Sequence, residues 1–327
     1  GRESGETLAA ALVEGLNAVG CDVDVLGLAP TPAVMHLTGA GDYDAGIVVS
    51  ASHNPAADNG VKLLCERGSK LEDEVELEVE QALLAGEVPA DAGVAGKPRR
   101  VQSKLGDYLA WLRSEAFPEL DLKGWKVAVD CANGAYSRLG PRVLQAFGAE
   151  VAPLNDHPDG RNINLDCGAM HPEVVAAAVH DHHASVGLCV DGDGDRGLLV
   201  DAAGRVLDGD ALLAGLGTHL MERGELPGGT VAATVMSNLA LEQWLGRCGA
   251  RLHRTPVGDR HVAAAMRENG WSLGGEKSGH MLFGAEHGFR GDGLYTFLRV
   301  MQALVHEGKG SADFAAGYED MPQVLLN

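Results

Sequence analysis

Apolar and polar positions alternate along this chain in two rhythms, one helical and one extended. Leu8, Ala11, Leu12, Leu16 and Val19 recur at helical spacing, residues 21–28 then read as a strand, and Pro30-Thr31-Pro32 opens a second helix. The unbroken run Ala45-Gly46-Ile47-Val48-Val49 has the look of a parallel strand covered on both faces, and it ends in a polar loop over 50–60. An acidic helix over 71–84 follows, and then the aperiodic stretch 85–100, rich in Gly, Pro, Ala and charge, which marks a boundary.

The same logic returns twice. A second block predicts a strand at 126–129, helices at 138–147 and 172–179, and a strand at 185–190 that stops at Asp191. A third predicts helices at 210–221, 239–248, 261–268 and 293–307, with a strand at 230–235. Alternating helix and strand predicts an α/β fold: three consecutive α/β domains with mixed sheets, and an active site at strand-tip loops in a central cleft. No strict sequence repeat accompanies the recurrence.

Composition narrows the function. With 327 residues the chain is long enough for several cores, and 45% hydrophobic with 22% charged residues is the balance of a folded globular protein. A net charge of −20 repels nucleic acid and anionic lipid, so neither is expected as a partner. Six cysteines without a CxxC pair read as reduced thiols, and no window has the apolar length of a membrane helix, so a cytoplasmic protein is expected. The first residues lack an initiating Met and run straight into a helical pattern, and the end at 325–327 stops on a strand-like stretch, which reads as a fragment.

Three loops carry chemistry. Asp191-Gly192-Asp193-Gly194-Asp195-Arg196 places three carboxylates on alternate residues after an apolar strand, with glycines that let the backbone turn the oxygens toward one point, as a hard cation such as magnesium requires. The competing reading is a solvated turn, since Asp and Gly are also turn formers. A calcium EF-hand is excluded because its position 12 is Ala202 instead of glutamate. Ser50-Ala51-Ser52-His53-Asn54-Pro55, continuing to Lys62, offers a hydroxyl nucleophile with an imidazole and an ammonium nearby. Gly274-Gly275-Glu276-Lys277-Ser278-Gly279-His280 suits hydrogen bonding to a polyol, and a plain glycine-rich hairpin would look much the same.

Together the loops point to phosphoryl transfer. A Ser/His hydrolase lacks its Gly-x-Ser-x-Gly elbow here, and a nucleotide kinase lacks its Gly-x-x-x-x-Gly-Lys loop. A metal-dependent phosphatase and a non-catalytic sugar phosphate binding protein stay open.

In these loops, and over nearly its whole length, the chain resembles the α-D-phosphohexomutases. The resemblance implies that Ser52 carries a phosphate, that magnesium sits among Ser52, Asp191, Asp193 and Asp195, and that Lys62 serves in acid/base chemistry with His53 on the same loop. It further implies that Arg196 closes the metal loop and secures the phosphoserine, and that Gly258, Asp259, Arg260, Glu276, Ser278 and His280 line the sugar phosphate site. Glucose or glucosamine 1,6-bisphosphate is the implied activator. The loop Thr255-Pro256-Val257-Gly258-Asp259-Arg260, with Asn162-Ile163-Asn164 and Gly291-Asp292-Gly293, resembles the amino-sugar branch, where the mannose phosphate branch more often has a His-Lys pair after the glycine.

The same resemblance implies domains at 1–97, 98–204 and 205–310, with 311–327 as a linker toward a fourth. The family's Gly-Thr-x-Gly-x-Arg-Gly motif and the Arg-x-Ser-Gly-Thr-like loop that grips the substrate phosphate have no counterpart in the sequence. The oligomeric state is not fixed by these features, and a homodimer is the assembly left open.

Overall fold

The computed structural model describes residues 1–86 and 94–324. The boundary expected over 85–100 therefore lies partly outside the described residues, as do the last three residues of the expected linker.

The first part contains α1 (Gly5–Ala18), β1 (Val23–Val25), α2 (Thr31–Ala40), β2 (Ala45–Val49), β3 (Val61–Cys65), α3 (Asp73–Ala85) and β4 (Pro98–Arg100). β1 runs parallel to β4, and β2 pairs with β3 in antiparallel register, Val49 opposite Val61. The expectation of a covered parallel strand at Ala45–Val49 is corrected here: its neighbour is antiparallel, and only Val48 of the five residues is buried. The strand expected over 21–28 shortens to three residues. The core of this part is small, with Met35, Val48 and Leu64 in contact, while α1 and α3 bury no residue fully.

The second part contains α4 (Leu105–Trp111), β5 (Lys126–Asp130), α5 (Leu139–Ala146), β6 (Glu150–Leu154), α6 (Pro172–Asp181), β7 (Val186–Val190), β8 (Gly197–Asp201) and β9 (Val206–Leu207). Its sheet has the order β6-β5-β7-β8-β9, parallel through β7 and antiparallel from there on. The third part contains α7 (Gly209–Glu222), β10 (Thr230–Thr234), α8 (Leu239–Arg247), β11 (Arg251–Thr255), α9 (Asp259–Asn269), β12 (Leu273–Gly275), β13 (Met281–Phe283) and α10 (Gly293–Glu307). Its sheet has the order β11-β10-β12-β13, again parallel with one antiparallel edge.

All residues of β7, β8 and β10 are buried, as strands with helices on both faces must be. The helices that cover them start on side-chain caps: Asp208 on α7, Asn238 on α8 and Asp292 on α10 each accept backbone N–H bonds. One hydrophobic cluster runs through the second and third parts, joining Val127, Leu188 and Leu199 to Leu241, Phe297 and Leu304. Among the described residues no helix is long and apolar enough to cross a membrane.

A recurrence hidden in the sequence appears here. Each of the three chemical loops joins a strand to its antiparallel partner: 50–60 links β2 to β3, 191–196 links β7 to β8, and 276–280 links β12 to β13. Antiparallel partners need no crossover, so each loop starts and ends at neighbouring strand tips and its polar groups stay at that end of the sheet.

Candidate active site

The turn after β7 is not solvated. Asp191, Asp193 and Asp195 are 1%, 3% and 5% exposed, and one carboxylate oxygen from each lies within 4.8 Å of the others. Backbone N–H groups of Gly194 and Arg196 donate to Asp191 Oδ1, each at 3.1 Å, which closes the turn upon itself. Oδ1 of Asp193 and Oδ1 of Asp195 are buried without a hydrogen-bond partner. Three buried carboxylates, two of them with an unmet oxygen, fit a hard divalent cation, whose ligands are oxygens and whose charge offsets theirs.

Two cations from elsewhere already serve this group. Lys62 Nζ donates to Asp193 Oδ2 at 2.6 Å and to Asp195 Oδ2 at 3.0 Å. His280 lies between Asp195 (3.5 Å) and Asp259 (3.3 Å). Burial opposes charge on both, but the carboxylates outweigh it, so Lys62 is held well above the usual ammonium range and His280 is pushed up to about 10. Burial likewise opposes charge on Asp195, yet Lys62 and His280 hold it well below the usual carboxylate range. Asp191 has no such partner, and burial followed by repulsion from Asp195 and Asp193 pushes its carboxyl up.

Removing Lys62 should expose this balance. Lys62→Met leaves Asp193 buried without its cation and Asp195 with His280 alone, a loss of about 3 kcal/mol of folding stability. Magnesium should restore most of it, so unfolding curves with and without the ion check the prediction; equal losses in both would contradict it.

Ser52 reaches the same group from the first part of the chain. Its Oγ donates to Asp191 Oδ2 at 2.5 Å, and its backbone sits in the left-handed region at φ 49°. That conformation is costly for a residue with a side chain and needs outside support. Arg2 and Asn164 supply it. The Arg2 guanidinium, itself buried, donates to the carbonyls of Ser52 (3.0 Å) and Asn54 (2.8 Å), and Asn164 Nδ2 donates to the same two carbonyls at 2.9 and 3.1 Å. Thr31, at the start of α2, donates its hydroxyl to Asp193 Oδ2 at 2.6 Å.

These three residues were not among the expected site residues. Asn164 stood in a segment read only as a branch marker, Arg2 in the irregular start, and Thr31 in a helix-opening Pro-Thr-Pro. A residue that acts by contacting a distant backbone carbonyl leaves no local pattern.

The remaining expected residues divide into two groups. His53 is half-buried with Nδ1 unpartnered, and burial with the nearby Arg196 charge lowers its pKa. Arg196 Nε is likewise buried without a partner. Around the third loop, Gly258, in the left-handed region at φ 121°, donates its N–H to Glu276 Oε1 at 3.2 Å, and Ser278 Oγ bonds Glu276 Oε2 at 3.3 Å. Asp259 pairs with Lys70 at 2.6 Å, whereas Arg260 is engaged by Asp73 and Glu76 of α3. A cleft of about 270 Å³ lies here, lined by Thr31, Lys70, Asp195, Asp259, Arg260 and His280 among others.

Comparison with known proteins agrees with this geometry. The family described as phosphoglucomutase/phosphomannomutase matches in three pieces: its alpha/beta/alpha domain I over residues 1–88, domain II over 107–204 and domain III over 208–321. The chain is 46% identical over 327 residues to a phosphoglucosamine mutase of Cereibacter sphaeroides, covering 100% of this chain and 73% of that protein. The crystal structure of a phosphoglucomutase/phosphomannomutase family protein from Burkholderia thailandensis superposes with a TM-score of 0.85 at 28% identity, over 98% of this chain and 70% of that one. An Aspergillus fumigatus N-acetylphosphoglucosamine mutase, solved in complex with GlcNAc-6P and magnesium, shares the fold with a TM-score of 0.62 at 18% identity, over 97% of this chain and 84% of that one. With the serine, the carboxylate triad and the Glu276–His280 loop each carried between a strand and its antiparallel partner, and with the family matched along nearly the whole sequence, the chain belongs to the phosphoglucomutase/phosphomannomutase family, the α-D-phosphohexomutases.

Proposed function

We propose that this chain acts as a phosphoglucosamine mutase, interconverting glucosamine 6-phosphate and glucosamine 1-phosphate through a phosphorylated Ser52 and a bisphosphate intermediate. The observation that carries the reading is the Ser52 hydroxyl bonded to Asp191 within a buried carboxylate triad. Phosphoglucosamine mutases at 46% and 41% identity support the choice of an amino sugar.

In the first half-reaction the bond from phosphorus to Ser52 Oγ breaks and one to the free hydroxyl oxygen of the sugar monophosphate forms. Lys62, held positively charged, is the acid for the departing Oγ, and His53, kept neutral by burial and by Arg196, is the base carried on the same loop. Arg2 and Asn164 keep the Ser52 loop in its left-handed turn throughout. Glu276 and Ser278 accept and donate to sugar hydroxyls, while Arg196 secures the phosphoserine. Asp191, Asp193, Asp195 and the phosphoserine would hold magnesium, which would supply charge neutralisation for the transferring phosphoryl group. The bisphosphate then turns over and returns its other phosphate to Ser52, so no phosphate is lost and the net change is isomerisation.

Gly258, Asp259, Arg260 and His280 complete the sugar phosphate site in this account, with a bisphosphate as activator. The domain divisions near residues 97, 204 and 310 belong to the same proposal, supported by the separate five-stranded and four-stranded sheets of the second and third parts. Six free cysteines support a reducing, cytoplasmic setting.

The sugar is settled by comparing kcat/KM for glucosamine 1-phosphate, glucose 1-phosphate and mannose 1-phosphate. We expect the amino sugar to be favoured by at least about tenfold, since one well-placed polar contact is worth about 1.4 kcal/mol or more. Equal or better use of a neutral sugar would assign the chain to the glucose or mannose branch. Steady phosphate release without bisphosphate would make it a phosphatase.

A further inference from the structure

Asp292 stands outside the reaction, yet it is among the most heavily bonded carboxylates of the fold. Its Oδ1 accepts from the N–H groups of Leu294 and Tyr295, each at 3.0 Å, and from the Tyr136 hydroxyl at 3.0 Å. Its Oδ2 accepts from the Tyr108 hydroxyl, and the two hydroxyls are 3.2 Å apart. All three side chains are buried. Capping α10 needs only the two backbone bonds, so the tyrosines answer to something else.

What they touch is the metal loop. The Tyr136 ring lies against Gly194, the residue between Asp193 and Asp195; a Cβ on Gly194 would fall 2.3 Å from the ring. Gly194 adopts φ 79°, and its carbonyl accepts from the N–H of Gly293 at 3.0 Å. Gly197 and Gly293 touch backbone to backbone, since a Cβ on Gly197 would sit 2.7 Å from Gly293 Cα. The middle of the loop is thus fixed by a ring and by a helix start, and Asp292 fixes both. Three carboxylates crowded on a glycine-rich turn repel one another and would spread the turn if nothing backed it.

We propose that Asp292, Tyr136 and Tyr108 are positioning residues that hold the 191–196 loop in its cation-binding shape, setting divalent-cation affinity without touching cation or sugar. The inference rests on the metal reading of that loop. His287, 3.6 Å from Asp292 Oδ2, adds no charge to the set, because burial keeps its imidazole neutral.

Binding of Mn2+, followed by the electron paramagnetic resonance signal of the free ion, tests this on Tyr136→Phe, Tyr108→Phe and Asp193→Asn, with apo unfolding temperature and circular dichroism measured alongside. Both Tyr→Phe variants keep the ring and lose the hydroxyl. We expect each folded variant to bind Mn2+ about tenfold more weakly, the scale seen for residues behind metal ligands, at temperatures well below its unfolding. Tyr108, one contact further from the loop, serves should Tyr136→Phe fail to fold. Parent-like Mn2+ affinity in the Tyr→Phe variants, with binding lost in Asp193→Asn, would overturn the positioning role alone. Unchanged binding in Asp193→Asn would overturn the metal reading beneath it.

Discussion

Ser52→Ala should take up no phosphate from glucose 1,6-bisphosphate, and its turnover should fall by at least about 10³-fold, as when a covalent nucleophile is deleted. The reason is local. Ser52 Oγ lies 2.5 Å from Asp191, the other hydroxyl on the triad, that of Thr31, is held at the start of α2 by its bond to Asp193, and Ser50 Oγ is already committed to the Ser52 N–H and to Arg2. Alanine tolerates the left-handed backbone about as badly as serine does, so the loop held by Arg2 and Asn164 should keep its shape and the loss should be chemical. Labelled bisphosphate measures it, with circular dichroism as the control for folding. Continued labelling of the variant would move the acceptor to another residue.

Asp193→Asn should weaken magnesium binding by at least about 100-fold, more than the tenfold to hundredfold seen when residues behind the ligands are changed. Asp193 ties the triad to two other segments: its Oδ2 accepts from both Thr31 and Lys62 at 2.6 Å, and its Oδ1 is buried with no partner. The amide removes a charge the cation needs and turns a donor toward one that Lys62 or Thr31 already supplies. Folding without metal should change far less, because lost attraction to Lys62 is offset by lost repulsion from Asp191 and Asp195. Isothermal titration with magnesium checks the first expectation and unfolding of the metal-free protein the second.

The chemistry was legible because each loop is contiguous in sequence. Three aspartates on alternate residues, a Ser-His-Asn-Pro turn and a Glu-Lys-Ser-Gly-His turn announce themselves without tertiary information. Helices with strong periodicity, such as α10 and α7, were equally plain. Strand direction was not: Ala45–Val49 is an apolar run whether its neighbour is parallel or antiparallel, and periodicity does not report the partner. The short antiparallel partners β3, β8 and β13 went unread for the same reason, and with them the common turn that carries all three loops. Thr31, Arg2 and Asn164 act across 162, 50 and 112 positions of sequence, distances that only folding closes.

The account stands on phosphoryl transfer through Ser52, and the intact mass of the protein before and after incubation with glucose 1,6-bisphosphate and magnesium tests it most directly. The expected result is the added mass of one phosphate, mapped by peptide fragmentation to Ser52. A phosphate on any other residue, or none under conditions where the bisphosphate binds, would contradict the account.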